Sequence, residues 1–326
     1  MQTANSTSID ITVVVPLYNE AESLPELMEW INRVMRENSF SYEVIMVDDG
    51  SSDTSWDVLQ QLRSTYPQLR GVKFQRNYGK SAALQVGFER AQGEVVITMD
   101  ADLQDSPDEI PALRQMVQEQ GYDIVSGWKK RRYDPLLSKR LPSKLFNSTV
   151  RMVSGIKLHD MNCGLKAYRK QVVKSIEVYG EMHRYIPVIA KQAGFKRIGE
   201  KEVHHQERKY GQTKFGMERF VNGFLDLFSV VFVSKFGKRP MHFFGVLGML
   251  MFLIGGMATV WLIVSKLYAQ SQGNVFRPVA DQPLFYIALV TVVVGIQLFL
   301  AGFLGELMAR STPERNRYLI EVDTAK

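Results

Sequence analysis

Short apolar runs alternate with segments of helical periodicity through the first half of the chain. The runs are rich in β-branched residues and too short for helices, so they predict strands at residues 11–15, 42–47, 72–75 and 123–126 and in the run that begins at Val95. Between them, apolar residues recur every three or four positions, which predicts helices. This alternation predicts an α/β fold, a doubly wound and mostly parallel Rossmann-like sheet with helices on both faces.

Two of the predicted helices have sequence signals for their first turn. Ser23 and Glu26 have the spacing of a capping box. Ser106, Pro107 and Glu109 supply a cap, a first-turn proline and a box partner for a later helix.

The last third of the chain is much more apolar. Residues 243–265 and 283–305 carry no formal charge, and each stretch of 23 residues would span about 34 Å as a helix, enough to cross a membrane. Basic residues flank this pair of helices and are scarce in the loop between them, which predicts that both termini and the N-terminal domain are cytoplasmic. The flanking residues are Lys235, Lys238, Arg239, Arg310, Arg315 and Arg317.

We therefore expect four regions in the chain. Residues 1–215 form the α/β domain, and residues 216–240 form an amphipathic helix and linker at the membrane interface. Residues 241–309 form a hairpin of two transmembrane helices, and residues 310–326 form a cytoplasmic tail.

Composition narrows the classes of partner only slightly. The 326 residues are 45% hydrophobic and 23% charged, as in a globular protein with some membrane-embedded length. The formal charge of +6 is compatible with nucleic acid, anionic lipid or a phosphate-bearing substrate. Cys163 is the single cysteine, which excludes an internal disulfide and fits a reducing compartment, where we expect it to be a small buried hydrophobe. The first ten residues lack the features of a secretory signal.

Acidic residues end the strand that begins at Val95. Asp100 and Asp102 alternate with Ala101, so in an extended chain both carboxylates point to one side and can bind one divalent cation. An acidic pair can also simply cap a helix or end a strand in water. No glycine-rich dinucleotide or P-loop motif is present. Pro16, Tyr18 and Glu20 instead follow the first strand and Asp49 the second, where they either contact a nucleoside or only form turns.

Three of these motifs together resemble a known family. P-L-Y-N-E after the first strand, V-D-D-G-S-S-D after the second and D-A-D-L-Q after the central one are similar to the donor-binding motifs of inverting family 2 glycosyltransferases with the GT-A fold. Within that family the chain most resembles the polyprenyl-phosphate glycosyltransferases, such as dolichol-phosphate mannose synthase and its bacterial relatives.

The resemblance assigns roles to particular positions. It implies nucleotide-sugar contacts and Mg²⁺ or Mn²⁺ ligands at the carboxyl ends of the strands, where Asp100 is either a base or part of the metal shell. Arg208 and Lys214, in a segment similar to the family's R-x-x-G-x-[ST]-K, would stabilise the departing diphosphate. The nucleotide-sugar set is Pro16, Tyr18, Glu20, Val47, Asp49, Ala101, Asp102, Gln104, Arg208 and Lys214, and the metal set is Asp100, Asp102 and Gln104.

The segment after the last predicted strand is the densest positive cluster in the chain. Such a run is commonly a solvated face or a nucleic-acid site, but no nucleic-acid-binding motif accompanies it. The resemblance implies instead that it binds the phosphate of a lipid acceptor. The candidate residues are Lys129, Arg131, Lys139, Arg140 and Ser143.

The resemblance thus implies transfer of a sugar from a nucleotide sugar, with UDP favoured over the GDP of GDP-mannose, to polyprenyl phosphate at the cytoplasmic face of the inner membrane. A processive polysaccharide synthase shares the donor motifs, but the Q-x-x-R-W segment typical of that class is missing. A non-catalytic, membrane-tethered nucleotide-sugar-binding protein is the other alternative. Two spans are too few to form a transporter from one chain, which leaves a homo-oligomer open. The sugar is not determined by the sequence.

Overall fold

A computed structural model of the protein describes residues 9–130, 151, 155–180, 182–206, 209, 240–273, 277–310 and 320–324. These residues form two compact units. One contains a sheet, its helices and the C-terminal strand, and the other contains two long helices.

The first unit is built on an eight-stranded sheet in the order β7-β5-β6-β4-β1-β2-β3-β8. Six strands run in one direction, and β6 and β8 run in the other. The predicted α/β, mostly parallel GT-A-like sheet is confirmed. The strands are β1 (Ile11–Leu17), β2 (Tyr42–Asp48), β3 (Leu69–Phe74), β4 (Val95–Thr98), β5 (Ile124–Trp128), β6 (Lys166–Arg169), β7 (Ile198–Glu202) and β8 (Ile320–Asp323).

Helices cover both faces of this sheet. The core on one face packs against α1 and the core on the other packs against α3, so the side chains of the central strands are buried on both sides. This explains why the strands are continuous apolar runs rather than alternating ones. The helices of this unit are α1 (Leu24–Glu37), α2 (Ser55–Thr65), α3 (Lys80–Arg90), α4 (Ile110–Gln118), α5 (Lys170–Ser175) and α6 (Ile186–Gln192).

The capping predictions were only partly right. Ser23 does not cap α1 with its side chain; its hydroxyl donates instead to the carbonyl oxygen of Glu20 at 2.9 Å. Ser106 does cap, accepting from the backbone N–H of Asp108 at 3.3 Å. Glu109 is not a box partner, because its carboxylate forms an ion pair with Lys201. The long-range ion pair with Lys201 thus takes the place of the local hydrogen bond that a capping box would form.

The C-terminal strand was not predicted. β8 pairs antiparallel with β3 at the edge of the sheet. Arg90 and Asp323 form an ion pair at 2.9 Å, and the hydroxyl of Thr324 accepts from the N–H of Gly71 at 2.8 Å. The chain therefore returns to the first unit after the second long helix.

The second unit is a hairpin of α7 (Pro240–Ser271) and α8 (Pro283–Arg310). Both helices are long and apolar enough to cross a membrane, and most of their surface is not covered by protein. Glycines let the two backbones approach closely: a Cβ on Gly248 would lie 2.5 Å from the carbonyl oxygen of Gly295, and one on Gly295 would lie 2.7 Å from the carbonyl oxygen of Gly248. Small residues at a helix interface are typical of membrane helices.

Candidate functional site

A cleft of about 330 Å³ lies at the carboxyl ends of β1, β2 and β4. Ligands bind at this edge in open α/β sheets. Side chains and backbone from three strand ends and from the start of α3 line the cleft, and the exposed ring of Tyr18 lies at its wall. Its lining residues are Pro16, Leu17, Tyr18, Glu20, Asp49, Asn77, Gly79, Lys80, Asp100, Ala101 and Asp102.

A tight turn carries the two aspartates of the central motif into this cleft. Asp100 and Asp102 both line it, and the N–H of Gln104 donates to Oδ1 of Asp102 at 3.2 Å. Leu103 has φ of 60°, a left-handed conformation that is rare for a branched residue. Strained backbone of this kind is concentrated at functional sites.

Lys80, the first residue of α3, forms an ion pair with Asp100. Burial alone would raise the pKa of Asp100, but the charge and hydrogen bond of Lys80, aided by Lys129 and Lys166, lower it to about 2. Asp100 is therefore ionised throughout the neutral range. Lys80 was missed in the sequence, because it belongs to none of the motifs that predicted site residues there.

Asp49 supports the wall of the cleft from within. Its carboxylate accepts from the N–H groups of Tyr78 and Gly79 at 2.7 and 2.9 Å. These bonds fix the turn from which α3 begins, and hence the position of Lys80. Burial raises the pKa of Asp49, and the two backbone bonds oppose that rise.

A second segment approaches Asp100 from the side of β6. A Cβ on Gly164 would lie 2.5 Å from Oδ2 of Asp100, so only glycine fits there without displacing that carboxylate. The neighbouring Cys163 is buried, and burial raises the pKa of its thiol to about 12, as expected for an inert hydrophobe. Asp160 acts as a turn acceptor, since its Oδ1 receives the N–H of Asn162 at 3.1 Å.

Beyond Asp100 the cleft continues into a narrow recess of about 20 Å³. Pro16, Lys80 and Asp100 line both spaces. The recess is also lined by Gly164, Lys166, His183 and Arg184, none of which is among the predicted site residues.

Lys129, at the end of β5, is directed into the protein. Its ammonium lies 2.7 Å from Oδ1 of Asp105, with side-chain exposures of 13% and 0%. Burial would lower the pKa of Lys129, but Asp105 raises it above its ordinary value. In this arrangement the ammonium of Lys129 is not presented to solvent. It links the start of the basic segment to the turn after β4, which carries Asp100 and Asp102.

The structure thus brings together most of the nucleotide-sugar residues predicted after the three strand ends. Val47 is a correction: its side chain is fully buried in the core of the α3 face and does not reach the cleft. Gln104 adjoins Asp102, and its carbonyl accepts from the N–H of Gln206 at 3.0 Å. Arg131, Lys139, Arg140, Ser143, Arg208 and Lys214 lie outside the residues that the structure describes.

The donor set at the turn fits a hard divalent cation only in part. Within the described ranges no group of three or more His, Cys, Asp or Glu side chains could hold a metal. Two carboxylates do line the cleft, and Asp102 is the one that makes no ion pair with Lys80. Mg²⁺ commonly takes one or two protein carboxylates and completes its shell with phosphate and water. Asp102 therefore fits such a site, provided that a ligand supplies the other oxygens.

Comparison with known proteins agrees with this geometry. The chain is 35% identical over 93% of its length to the dodecaprenyl-phosphate galacturonate synthase of Rhizobium johnstonii, covering 89% of that protein. It is 35% identical over 97% of its length to the undecaprenyl-phosphate 4-deoxy-4-formamido-L-arabinose transferase of Aeromonas hydrophila, covering 94% of it.

A solved structure shares the fold. Glucosyl-3-phosphoglycerate synthase of Mycobacterium tuberculosis superposes with a TM-score of 0.53 at 15% identity, over 69% of this chain and 80% of that one. The two apolar helices, together with relatives that act on polyprenyl phosphates, identify the chain as a membrane protein. Residues 12–177 match the model of glycosyl transferase family 2, and the chain belongs to that family.

Proposed function

We propose that this protein transfers a sugar from a nucleotide sugar, a UDP-sugar in preference to GDP-mannose, to polyprenyl phosphate, with inversion at the anomeric carbon. The observation that carries the proposal is the cleft at the carboxyl edge of the sheet, which joins an aromatic and acidic wall to the turn bearing Asp100 and Asp102. The two relatives of 35% identity are named as a dodecaprenyl-phosphate galacturonate synthase and an undecaprenyl-phosphate formamido-arabinose transferase, which supports a polyprenyl phosphate as the acceptor.

The nucleoside and diphosphate have separate places in this proposal. Tyr18 and Glu20 would contact the nucleoside at the outer wall, where the ring of Tyr18 is 39% exposed. The diphosphate would lie near Lys80 and the amino end of α3, because helix N-termini attract phosphate through their free N–H groups.

A divalent cation, Mg²⁺ or Mn²⁺, would be held by Asp102 together with the diphosphate. When bound, it would neutralise negative charge on the leaving nucleoside diphosphate. Arg208 and Lys214 are proposed to contribute further positive charge there.

The acceptor needs positioning more than activation. A phosphate monoester oxygen is already ionised at neutral pH, so no strong base is required for its attack on the sugar. The carboxylate of Asp100 forms an ion pair with Lys80, which favours a role in organising the site over a role as base. We propose that Arg131, Lys139, Arg140 and Ser143 bind the acceptor phosphate.

The C-terminal strand supports a hairpin that crosses the membrane twice. β8 belongs to the same sheet as β1, so the chain that leaves the first unit before α7 returns to it after α8. Two crossings place both ends on one side, whereas one crossing would not. The basic flanks favour the cytoplasmic side of the inner membrane.

The direct test uses membranes that contain the protein. They are incubated with undecaprenyl phosphate, Mg²⁺ and each of a panel of radiolabelled nucleotide sugars, and the lipid fraction is then extracted. We expect label in a lipid product that mild acid hydrolyses, and none in membranes lacking the protein. Label in a polymer that resists lipid extraction would indicate a processive synthase instead. Nucleotide-sugar binding without any product would indicate a binding protein.

A further inference from the structure

The chain that follows β7 runs beside the turn that carries Asp102. His205 and Asp105 form an antiparallel bridge, and the N–H of Gln206 donates to the carbonyl oxygen of Gln104 at 3.0 Å. His205 and Gln104 are 101 positions apart in the sequence, so this pairing is a tertiary contact and not a local turn. The exit from β7 and the turn after β4 are therefore held together.

The side chain of His205 makes a second bond to the same carbonyl group. Nδ1 of its ring lies 3.1 Å from the carbonyl oxygen of Gln104. A carbonyl oxygen can only accept, so Nδ1 must carry the hydrogen. With the N–H of Gln206 as the other donor, both lone pairs of this oxygen are occupied. The orientation of the Gln104 carbonyl is thus fixed by two donors.

This fixed carbonyl matters because the turn has an unfavourable backbone conformation. Leu103 has φ of 60°, which a branched residue keeps only where surrounding contacts impose it. The N–H of Gln104 donates to Oδ1 of Asp102 at 3.2 Å, so residue 104 is bonded to Asp102 at one end and to His205 at the other. The ring of His205 therefore acts on the carboxylate of Asp102 through a single intervening residue.

We propose that His205 is a positioning residue for the cation: its Nδ1–H holds the carbonyl of Gln104 and thereby keeps the turn in the form in which Asp102 faces the cleft. This inference rests on the proposed function, because it requires that Asp102 holds the cation. The contact does not involve the donor sugar. Its removal should therefore weaken cation binding to the same extent for every donor.

The same ring could instead bind the cation directly through Nε2, since imidazole is a common metal ligand. The two roles require different atoms of the side chain. The amide of asparagine can place an N–H where Nδ1 lies, and the longer side chain of glutamine can place an oxygen where Nε2 lies. His205→Asn therefore preserves the proposed bond, whereas His205→Gln preserves a direct ligand.

The test measures Mn²⁺ binding to the full chain purified in detergent, without acceptor and with saturating UDP or GDP, whichever binds more tightly. Electron paramagnetic resonance of free Mn²⁺ gives the affinity without any turnover. We expect His205→Ala to weaken Mn²⁺ binding about fivefold, the size of one uncharged hydrogen bond. His205→Asn should retain the wild-type affinity, and His205→Gln should resemble His205→Ala.

The neighbouring histidine provides a matched control. The backbone N–H of His204 donates to Oε1 of Glu109 at 3.0 Å, and the residue is exposed. Alanine retains that backbone bond, so His204→Ala should bind Mn²⁺ like the wild type. Urea unfolding of each variant separates a loss of affinity from a loss of folded protein. The KM for polyprenyl phosphate should stay unchanged in all four variants, because His205 acts on the cation and not on the acceptor.

The inference is overturned if His205→Ala binds Mn²⁺ as tightly as the wild type, or if His205→Asn binds it no more tightly than His205→Ala. Wild-type affinity in His205→Gln would mean that the Nε2 position binds the cation, and would overturn it as well. Failure of the wild-type protein to bind Mn²⁺ with either nucleotide would instead refute the cation site of the proposed function, and this inference with it. That result is distinguishable, because the others compare variants with a wild type that binds.

Discussion

Replacement of Lys129 by methionine should destabilise the first unit strongly. Of the ion pairs between described residues, Lys129 with Asp105 is the most deeply buried, with nitrogen and oxygen 2.7 Å apart. The methionine would leave the carboxylate of Asp105 in the interior without a cation. Breaking a buried pair in this way typically costs about 3–5 kcal/mol, a large fraction of the stability of an ordinary domain.

The adjacent lysine provides a matched control. Lys130 forms an ion pair with Glu202 at 3.2 Å, but both side chains are more than half exposed. Solvent-exposed pairs are worth about 1 kcal/mol or less, so Lys130→Met should have little effect. The double variant Lys129→Met/Asp105→Asn removes both buried charges and should recover most of the lost stability.

The assay is urea-induced unfolding of the protein purified in detergent. The folded fraction of the first unit at each urea concentration is measured by its resistance to proteolysis. The KM for polyprenyl phosphate is measured on the same variants, since Lys129 was also predicted to bind the acceptor. If Lys129 acts by positioning the turn, the double variant regains both stability and KM. The reasoning is refuted if Lys129→Met is no more destabilising than Lys130→Met, or if the double variant is no more stable than Lys129→Met.

Three further changes test other parts of the structure. In Gly164→Ala, the added Cβ would meet the carboxylate of Asp100 and displace it. We expect kcat/KM for the donor to fall about tenfold at unchanged thermal stability. Unchanged kinetics would contradict this. His183 has a pKa of 6.5 in the unfolded chain and about 3 when burial lowers it in the folded protein, so the unfolded chain binds more protons between these values and stability decreases as the pH is lowered from 6.5 towards 3. His183→Gln should flatten this dependence, by at most about 1.4 kcal/mol per pH unit, in urea unfolding at pH 4 to 7. Gly295→Leu cannot fit against Gly248 and should separate the two helices of the hairpin, measured as loss of a disulfide cross-link engineered between them.

Much of the sheet could be predicted because its strands are buried on both faces and therefore appear as uninterrupted apolar runs. The convergence of Tyr18, Asp49 and Asp102 also followed from the sequence, since parallel strands end at one edge of the sheet. In the same way, the length of the apolar runs predicted the two long helices.

The features that were missed depend on contacts between distant parts of the chain. β8 and β3 pair in the sheet although most of the sequence lies between them, and no local sequence pattern marks so short an edge strand. Lys80 and Asp100 meet only because α3 begins beside the end of β4. Val47 was expected at the nucleotide, but it lies inside β2 and its side chain is buried in the core, whereas Asp49, two residues on and just past the strand end, reaches the cleft.

The most direct test of the central claim is lipid-linked sugar formation by the Asp102→Asn variant, assayed with undecaprenyl phosphate, the preferred nucleotide sugar and saturating Mn²⁺. Asparagine keeps the shape of the side chain but loses the charge that would hold the cation between protein and diphosphate. The account predicts a fall in kcat/KM of at least about a hundredfold, roughly 3 kcal/mol of transition-state stabilisation, with the fold intact by urea unfolding. Full activity of a folded Asp102→Asn protein would contradict it.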